Sequence, residues 1–188
     1  ATKTFNTIEG GAIICHDEKT KKRIDFLKNF GFADEVTVTG PGINAKMNEL
    51  QAALGILQLK YIDKYILRRK EIATLYRDNL RDIKGIRVLY DIQDIRHSYT
   101  YFPIFIDEGI YNIGRDEVYA RLKEHNILGR RYFYPLISQF PTYRGLPSSD
   151  PENLPVATKA AQQVLCLPIY PDLDDNTVLE ICKLLSEF

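Results

Sequence analysis

From Lys46 to Leu80 the sequence contains no proline and a single glycine, Gly55. Along it Met47, Leu50, Leu54, Leu57, Tyr61, Tyr65 and Ile72 recur at helical spacing. The segment reads as one long helix, or as two with a bend near Gly55 or Tyr65. Either way it far exceeds the mean of about 11 to 12 residues for a globular helix. It is therefore expected to act as a connecting spine, with one body of structure before it and another after it.

Ahead of the spine, Gly11–Cys15 is a short apolar run between the Glu9-Gly10-Gly11 turn signal and His16-Asp17, the pattern of a buried strand. Glu18 to Phe30 follows as a helix with Ile24, Leu27 and Phe30 on one face and Gly31 as C-cap. Residues 32–45 carry Gly40, Pro41 and Gly42 among β-branched residues, a composition that suits an ordered functional loop.

Beyond the spine, 86–90 and 99–107 read as strands, with Pro103 placing the second at an edge or a bulge. Gly114-Arg115-Asp116 opens a helix carrying Val118 and Leu122, and 127–134 reads as a further strand. Five of the nine prolines fall between Pro135 and Pro155, which makes that stretch a long loop. Residues 156–165 and 174–188 close the chain as helices. The expected class is α/β, with the first part and the spine spanning residues 1–83 and a small α+β lobe spanning 84–188.

Twenty-five Lys plus Arg balance 25 Asp plus Glu, so no global charge attracts nucleic acid or an anionic membrane surface. No apolar run approaches the roughly 18 residues of a bilayer span. Cys15, Cys166 and Cys182 form no CxxC pair and read as reduced core residues, and the first residues lack the apolar segment of a secretory signal. A cytoplasmic protein without nucleic-acid or membrane partners is expected. The chain lacks an initiator Met and runs at once into a turn, as though it began inside a larger protein. His16, His97 and His125 have no metal-binding spacing, so no metal site is expected, and the strand-region tyrosines read as sheet packing.

The informative chemistry lies at the start. Lys3 stands among hydroxyl residues just before a glycine turn. A lysine whose surroundings favour the neutral amine forms a Schiff base with an aldehyde cofactor. An isolated lysine is far more often solvated surface. Here, however, ATKTFNTIEGGAII is followed by GPGINAKMNELQAALGILQLKYID, then by RRYFYPL at Arg130 to Leu136 and LPVATKAAQQVLCLPIYP at Leu154 to Pro171. These four strings, in order over nearly the whole chain, resemble the DegT-type nucleotide-sugar aminotransferases, a branch of the fold-type I pyridoxal phosphate enzymes.

The resemblance implies a fold: the end of the large α/β domain, the connecting helix, and the small α+β C-terminal domain. It also implies roles. Lys3 matches the lysine that binds pyridoxal 5'-phosphate covalently and relays the substrate proton. Asn44 matches the loop asparagine that reaches the cofactor phosphate of the neighbouring subunit; an amide donates to phosphate without adding charge. Taken alone, Asn44 reads as a helix cap or turn residue. Arg131, Tyr134 and Ser138 fall in the sugar-binding region, and Ile137-Ser138 stands where many relatives carry histidine after Tyr-Pro-Leu. A dehydratase branch of the same fold has histidine in place of the lysine, and Lys3 argues against its chemistry.

The resemblance thus implies an aminotransferase that moves an amino group from an amino acid, glutamate foremost, to a nucleotide-linked keto-deoxysugar such as dTDP-4-keto-6-deoxyglucose. Such enzymes serve the synthesis of polysaccharides and other deoxyamino sugars, as homodimers with shared active sites. Family members are longer and place the carboxylate for the pyridine nitrogen, the ring-stacking aromatic and most of the phosphate cradle ahead of the lysine. The chain is therefore expected to be a fragment and inactive alone. The competing expectation is a non-catalytic ligand-binding or regulatory protein of the same fold.

Overall fold

The structure is a computed structural model that describes residues 3–188; Ala1 and Thr2, which open the ATK string, lie outside the described residues. The chain divides into two compact units, one running up to Ile62 and one from Asp63 to Phe188.

The first unit contains helices α1 (Glu18–Lys28) and α2 (Glu49–Leu59). Asp17 caps α1, accepting from the Thr20 N–H at 2.7 Å, which leaves one fewer orphan donor in the first turn. Asn48 caps α2 in a reciprocal box. Its Oδ1 accepts from the Gln51 N–H at 2.9 Å, and its own N–H donates to Gln51 Oε1 at 3.3 Å. Gly11–Cys15 forms no strand and its two isoleucines are exposed, Ile13 at 72% and Ile14 at 88%. A strand needs a hydrogen-bonded neighbour and a covering layer, and no described residue supplies either. Cys15, expected in a core, is half-exposed for the same reason.

α2 stops at Leu59 and α3 (Ile62–Leu80) begins after the Lys60-Tyr61 turn. The spine is thus two helices, broken between the two expected bends. α3 carries Ile72, Ala73, Tyr76 and Leu80, all buried in the core of the second unit. By its packing it belongs with the C-terminal residues, whereas sequence alone groups it with the N-terminal ones.

That core surrounds a four-stranded antiparallel sheet in the order β1 (Ile86–Val88), β2 (Phe102–Ile106), β4 (Val164–Leu167), β3 (Arg130–Arg131). Phe102, Ile104 and Ile106 point inward at the two-residue period of a strand, and Phe102 stacks on Tyr76 with centroids 4.8 Å apart. Helices α5 (Arg115–Glu124) and α7 (Asp175–Glu187) add Val118, Leu122, Val178, Ile181 and Leu185. Short α4 (Glu108–Tyr111) sends the Tyr111 hydroxyl to the Leu185 carbonyl at 2.5 Å.

Pro103 sits in an interior strand, against the edge expectation. β1 ends at Val88 opposite Ile104, so at Pro103 only β4 is paired, and the missing N–H costs no ladder bond on the β1 side. α6 (Pro155–Gln163) ends where β4 begins, so Val164 and Leu165, expected as the tail of a helix, open a strand buried along its whole length. The expected strand over 127–134 shrinks to Arg130–Arg131, and the proline-rich loop contains three single-turn 3-10 helices at Ile137–Gln139, Pro147–Ser149 and Pro151–Asn153.

Candidate active site

In the first unit the segment after Lys3 is tied down at its backbone. The Asn6 N–H donates to Gln58 Oε1 at 3.3 Å, and Gln51 Nε2 donates to the Glu9 carbonyl at 2.6 Å. Both glutamines lie on α2, so the helix fixes the segment at two points. Asn6 closes a local turn, donating from its side chain to the Lys3 carbonyl at 3.3 Å and accepting the Ile8 N–H at 3.1 Å. Thr7 is buried, its hydroxyl donating to the Glu9 carbonyl at 3.2 Å. Gly55 leaves it room: a Cβ there would lie 2.9 Å from the Thr7 methyl.

The Lys3 side chain is exposed and its amine has no hydrogen-bond or ion-pair partner among the described residues. The backbone is held while the amine stays free, so nothing in the described residues blocks its condensation with a carbonyl. Covalent attachment of an aldehyde cofactor fits this residue, and Lys3 would hold it.

Asn44 lies on a loop strapped to the C-terminal end of α1. The Ile43 N–H donates to the Leu27 carbonyl at 2.9 Å, the Phe30 N–H to the Ile43 carbonyl at 3.1 Å and the Ala45 N–H to the Lys28 carbonyl at 2.9 Å. The strap depends on glycine. A Cβ at Gly42 would sit 2.2 Å from the Gly31 nitrogen, and Gly31 itself takes φ +87°. The Asn44 side chain is exposed and unpartnered among the described residues, and the cap of α2 is Asn48, so Asn44 is not the helix cap. Its amide is available to an anion; no contact joins it to Lys3.

In the second unit Arg131 and Tyr134 meet, with the guanidinium carbon 4.9 Å from the ring centroid. Arg131 also lies 4.9 Å from the Tyr119 ring and 3.2 Å from Asp116 Oδ1. Ser138 is half-buried in the first of the 3-10 turns. Tyr132 packs against Tyr101 at 5.0 Å and lines a cavity of about 330 Å³ with Arg77, Asp91, His97 and Tyr99. Within it Asp91 accepts from Arg77 at 2.6 Å and from the Tyr99 hydroxyl, and His97 Nε2 accepts the Ile92 N–H at 3.0 Å. Burial alone would raise the Asp91 carboxyl, but these two donors outweigh it and hold the group below the ordinary carboxylate value. Burial pushes the Cys166 and Cys182 thiols up to about 12, so both stay protonated and inert.

Sequence reasoning missed the anchors of the Lys3 segment, Asn6, Gln51 and Gln58, and missed Arg115 and Asp116. A glutamine on a helix announces nothing about a partner 42 or 52 positions away. Only the capping-box spacing of Asn48 and Gln51 was available as a signal.

This architecture recurs in solved structures. DesI, crystallised in the presence of its TDP-sugar product, matches with a TM-score of 0.84 at 31% identity, covering 98% of this chain and 46% of that one. DesV, in complex with a ketimine intermediate, matches at 0.80 and 26% identity over 93% of this chain and 45% of that one. The fold is thus that of the C-terminal part of a fold-type I transferase. A family model described as the DegT/DnrJ/EryC1/StrS aminotransferase family matches residues 1–186, and the chain belongs to that family.

Among curated relatives, a dTDP-4-amino-4,6-dideoxy-D-glucose transaminase of Escherichia coli is 54% identical over 183 residues, 97% of this chain and 49% of that protein. Another of the same description, from Shigella dysenteriae, is 39% identical over 188 residues, 100% of this chain and 50% of that protein. The chain spans about half the length of the curated relatives it matches. No helix among the described residues is long and apolar enough to cross a membrane.

Proposed function

We propose that this chain supplies the catalytic lysine and the small domain of a pyridoxal-phosphate-dependent aminotransferase. The reaction moves an amino group from an amino acid, glutamate foremost, to the keto carbon of a nucleotide-linked deoxysugar. The observation that carries the reading is Lys3: an uncommitted amine in the family's lysine position, on a backbone anchored to α2 through Asn6, Gln51 and Gln58. The 54% identity to a dTDP-4-amino-4,6-dideoxy-D-glucose transaminase supports dTDP-4-keto-6-deoxyglucose as the acceptor.

When bound, pyridoxal phosphate supplies the electron sink. The residues of the chain supply position and proton transfer. Lys3 Nζ would hold the cofactor through its aldehyde, and the freed amine would carry a proton to and from the substrate carbon. Asn44 would donate to the phosphate of the cofactor in the neighbouring subunit without adding charge. Arg131, Tyr134 and Ser138 meet the nucleotide sugar. A lysine at this position favours catalysis over a purely regulatory role, which has no need of a Schiff-base amine.

Borohydride reduction of the full-length protein with pyridoxal phosphate, followed by peptide mass analysis, tests the reading. The phosphopyridoxyl group is expected on Lys3. Its appearance on Lys46, or on no lysine, overturns the assignment.

A further inference from the structure

Arg115 is a buried cation whose role lies outside the residues assigned so far. Its side chain is 2% exposed, and Nη1 donates to the Ala161 carbonyl at 2.9 Å and the Val164 carbonyl at 3.1 Å, where α6 passes into β4. Those bonds fix the guanidinium to the sheet. On its open side the group lies 4.6 Å from the Tyr134 ring centroid, and Arg131 lies 4.9 Å from the same ring. Two like charges converge on one aromatic ring. Their repulsion is relieved by one atom: Asp116 Oδ1 lies 2.8 Å from Arg115 Nε, an ion-pair approach without hydrogen-bond geometry, and accepts a hydrogen bond from Arg131 Nη1 at 3.2 Å.

We propose that Asp116 is a positioning residue for nucleotide-sugar recognition, bridging fixed Arg115 to Arg131 and so setting the place of both Arg131 and Tyr134. The proposal rests on the reading that Arg131 and Tyr134 meet the nucleotide sugar. Asp116 is on the first turn of α5, with its side chain 59% exposed, so it tolerates substitution without opening the core. A merely structural role, a carboxylate favouring a helix N-terminus, would affect stability and leave ligand affinity alone.

The test uses full-length enzyme with Asp116→Asn, Asp116→Glu and Tyr134→Ala. Binding of dTDP-glucose, an unreactive probe, is measured by calorimetry, and the donor half-reaction with glutamate is followed by cofactor absorbance. Asp116→Asn is expected to weaken dTDP-glucose binding roughly fivefold, the size of one cation–π contact, with the glutamate half-reaction unchanged and affinity regained in Asp116→Glu. Unchanged dTDP-glucose affinity in Asp116→Asn, or equal losses toward sugar and donor, overturns the positioning role. Tyr134→Ala separates the two ideas. If it weakens sugar binding while Asp116→Asn does not, only the positioning fails; if neither does, the placement of the sugar on this segment fails as well.

Discussion

The side-chain amide of Gln51 donates to the carbonyl of Glu9 at 2.6 Å, joining the first turn of α2 to the turn that follows the Lys3 segment. The same glutamine closes the capping box with Asn48. One residue therefore starts the helix and holds the chain that presents the amine.

Gln51→Ala removes both bonds. Asn48 still accepts from the backbone N–H of residue 51, so half of the capping box and one tertiary hydrogen bond are lost, together expected to cost about 1 to 2 kcal/mol. Hydrogen exchange should quicken at Asn6 to Glu9 as well as in the first turn of α2. Faster exchange in the helix alone would mean that Gln51 acts only as a cap.

Gly42→Ala tests the strap that carries Asn44. Its Cβ would meet the Gly31 nitrogen at 2.2 Å and the Leu27 carbonyl oxygen at 2.5 Å, backbone atoms with no rotamer by which to yield. A loss of about 2 kcal/mol or more is expected, in line with forced overpacking. Gly11→Ala, where nothing lies within 4 Å, is the matched control and should be near neutral. Equal effects in a denaturant titration would remove the close-approach argument.

The Asp91 carboxyl, held low by Arg77 and Tyr99 against the opposing effect of burial, makes stability depend on acid. A group whose folded value is depressed contributes fully above its unfolded value of about 3.9, and the contribution disappears as pH falls through the folded value. Asp91→Asn should therefore lower the urea midpoint at pH 7, and the gap from the parent should narrow as pH falls through 4. A gap of constant size at pH 7 and pH 3 would show that the effect is steric.

The shared-site proposal predicts complementation. Full-length subunits bearing Lys3→Ala and subunits bearing Asn44→Asp should each be nearly inactive, the second because a carboxylate repels phosphate. Mixed and refolded, they should form heterodimers with one doubly damaged site and one intact site. Recovered activity is the expected result; heterodimers as inactive as their parents would show that each site does not combine Lys3 of one subunit with Asn44 of its partner.

Much of the second unit was legible because its helices announce their own ends. Gly114 before Arg115 and Asp174 before Asp175 are start signals, and both helices begin where those residues stand. β4 was not legible, because Val164-Leu165-Cys166-Leu167 is apolar at every position and a fully buried strand has no alternation to betray it. The reverse error at Gly11–Cys15 has the same origin: a short apolar run looks like a strand whether or not a neighbour exists to pair with it. Around Lys3, which the motif singles out, the hydrogen bonds from Asn6, Gln51 and Gln58 that hold the segment were not legible. Arg115 and Asp116 were read as the opening of a helix, and nothing local shows that one of them points back to carbonyls 46 and 49 positions later.

The order of the sheet carries a consequence for synthesis. β4 lies between β2 and β3 yet is made after both, so a ribosome delivers β2 and β3 long before the strand that joins them. Until Leu167 has emerged, one edge of β2 remains open, with Phe102, Ile104 and Ile106 short of the neighbours that bury them. The nascent chain is expected to be most prone to sticking in that interval. Stalled translation between Arg131 and Leu167 should therefore yield a species that engages chaperones, while release beyond α7 should yield one that does not.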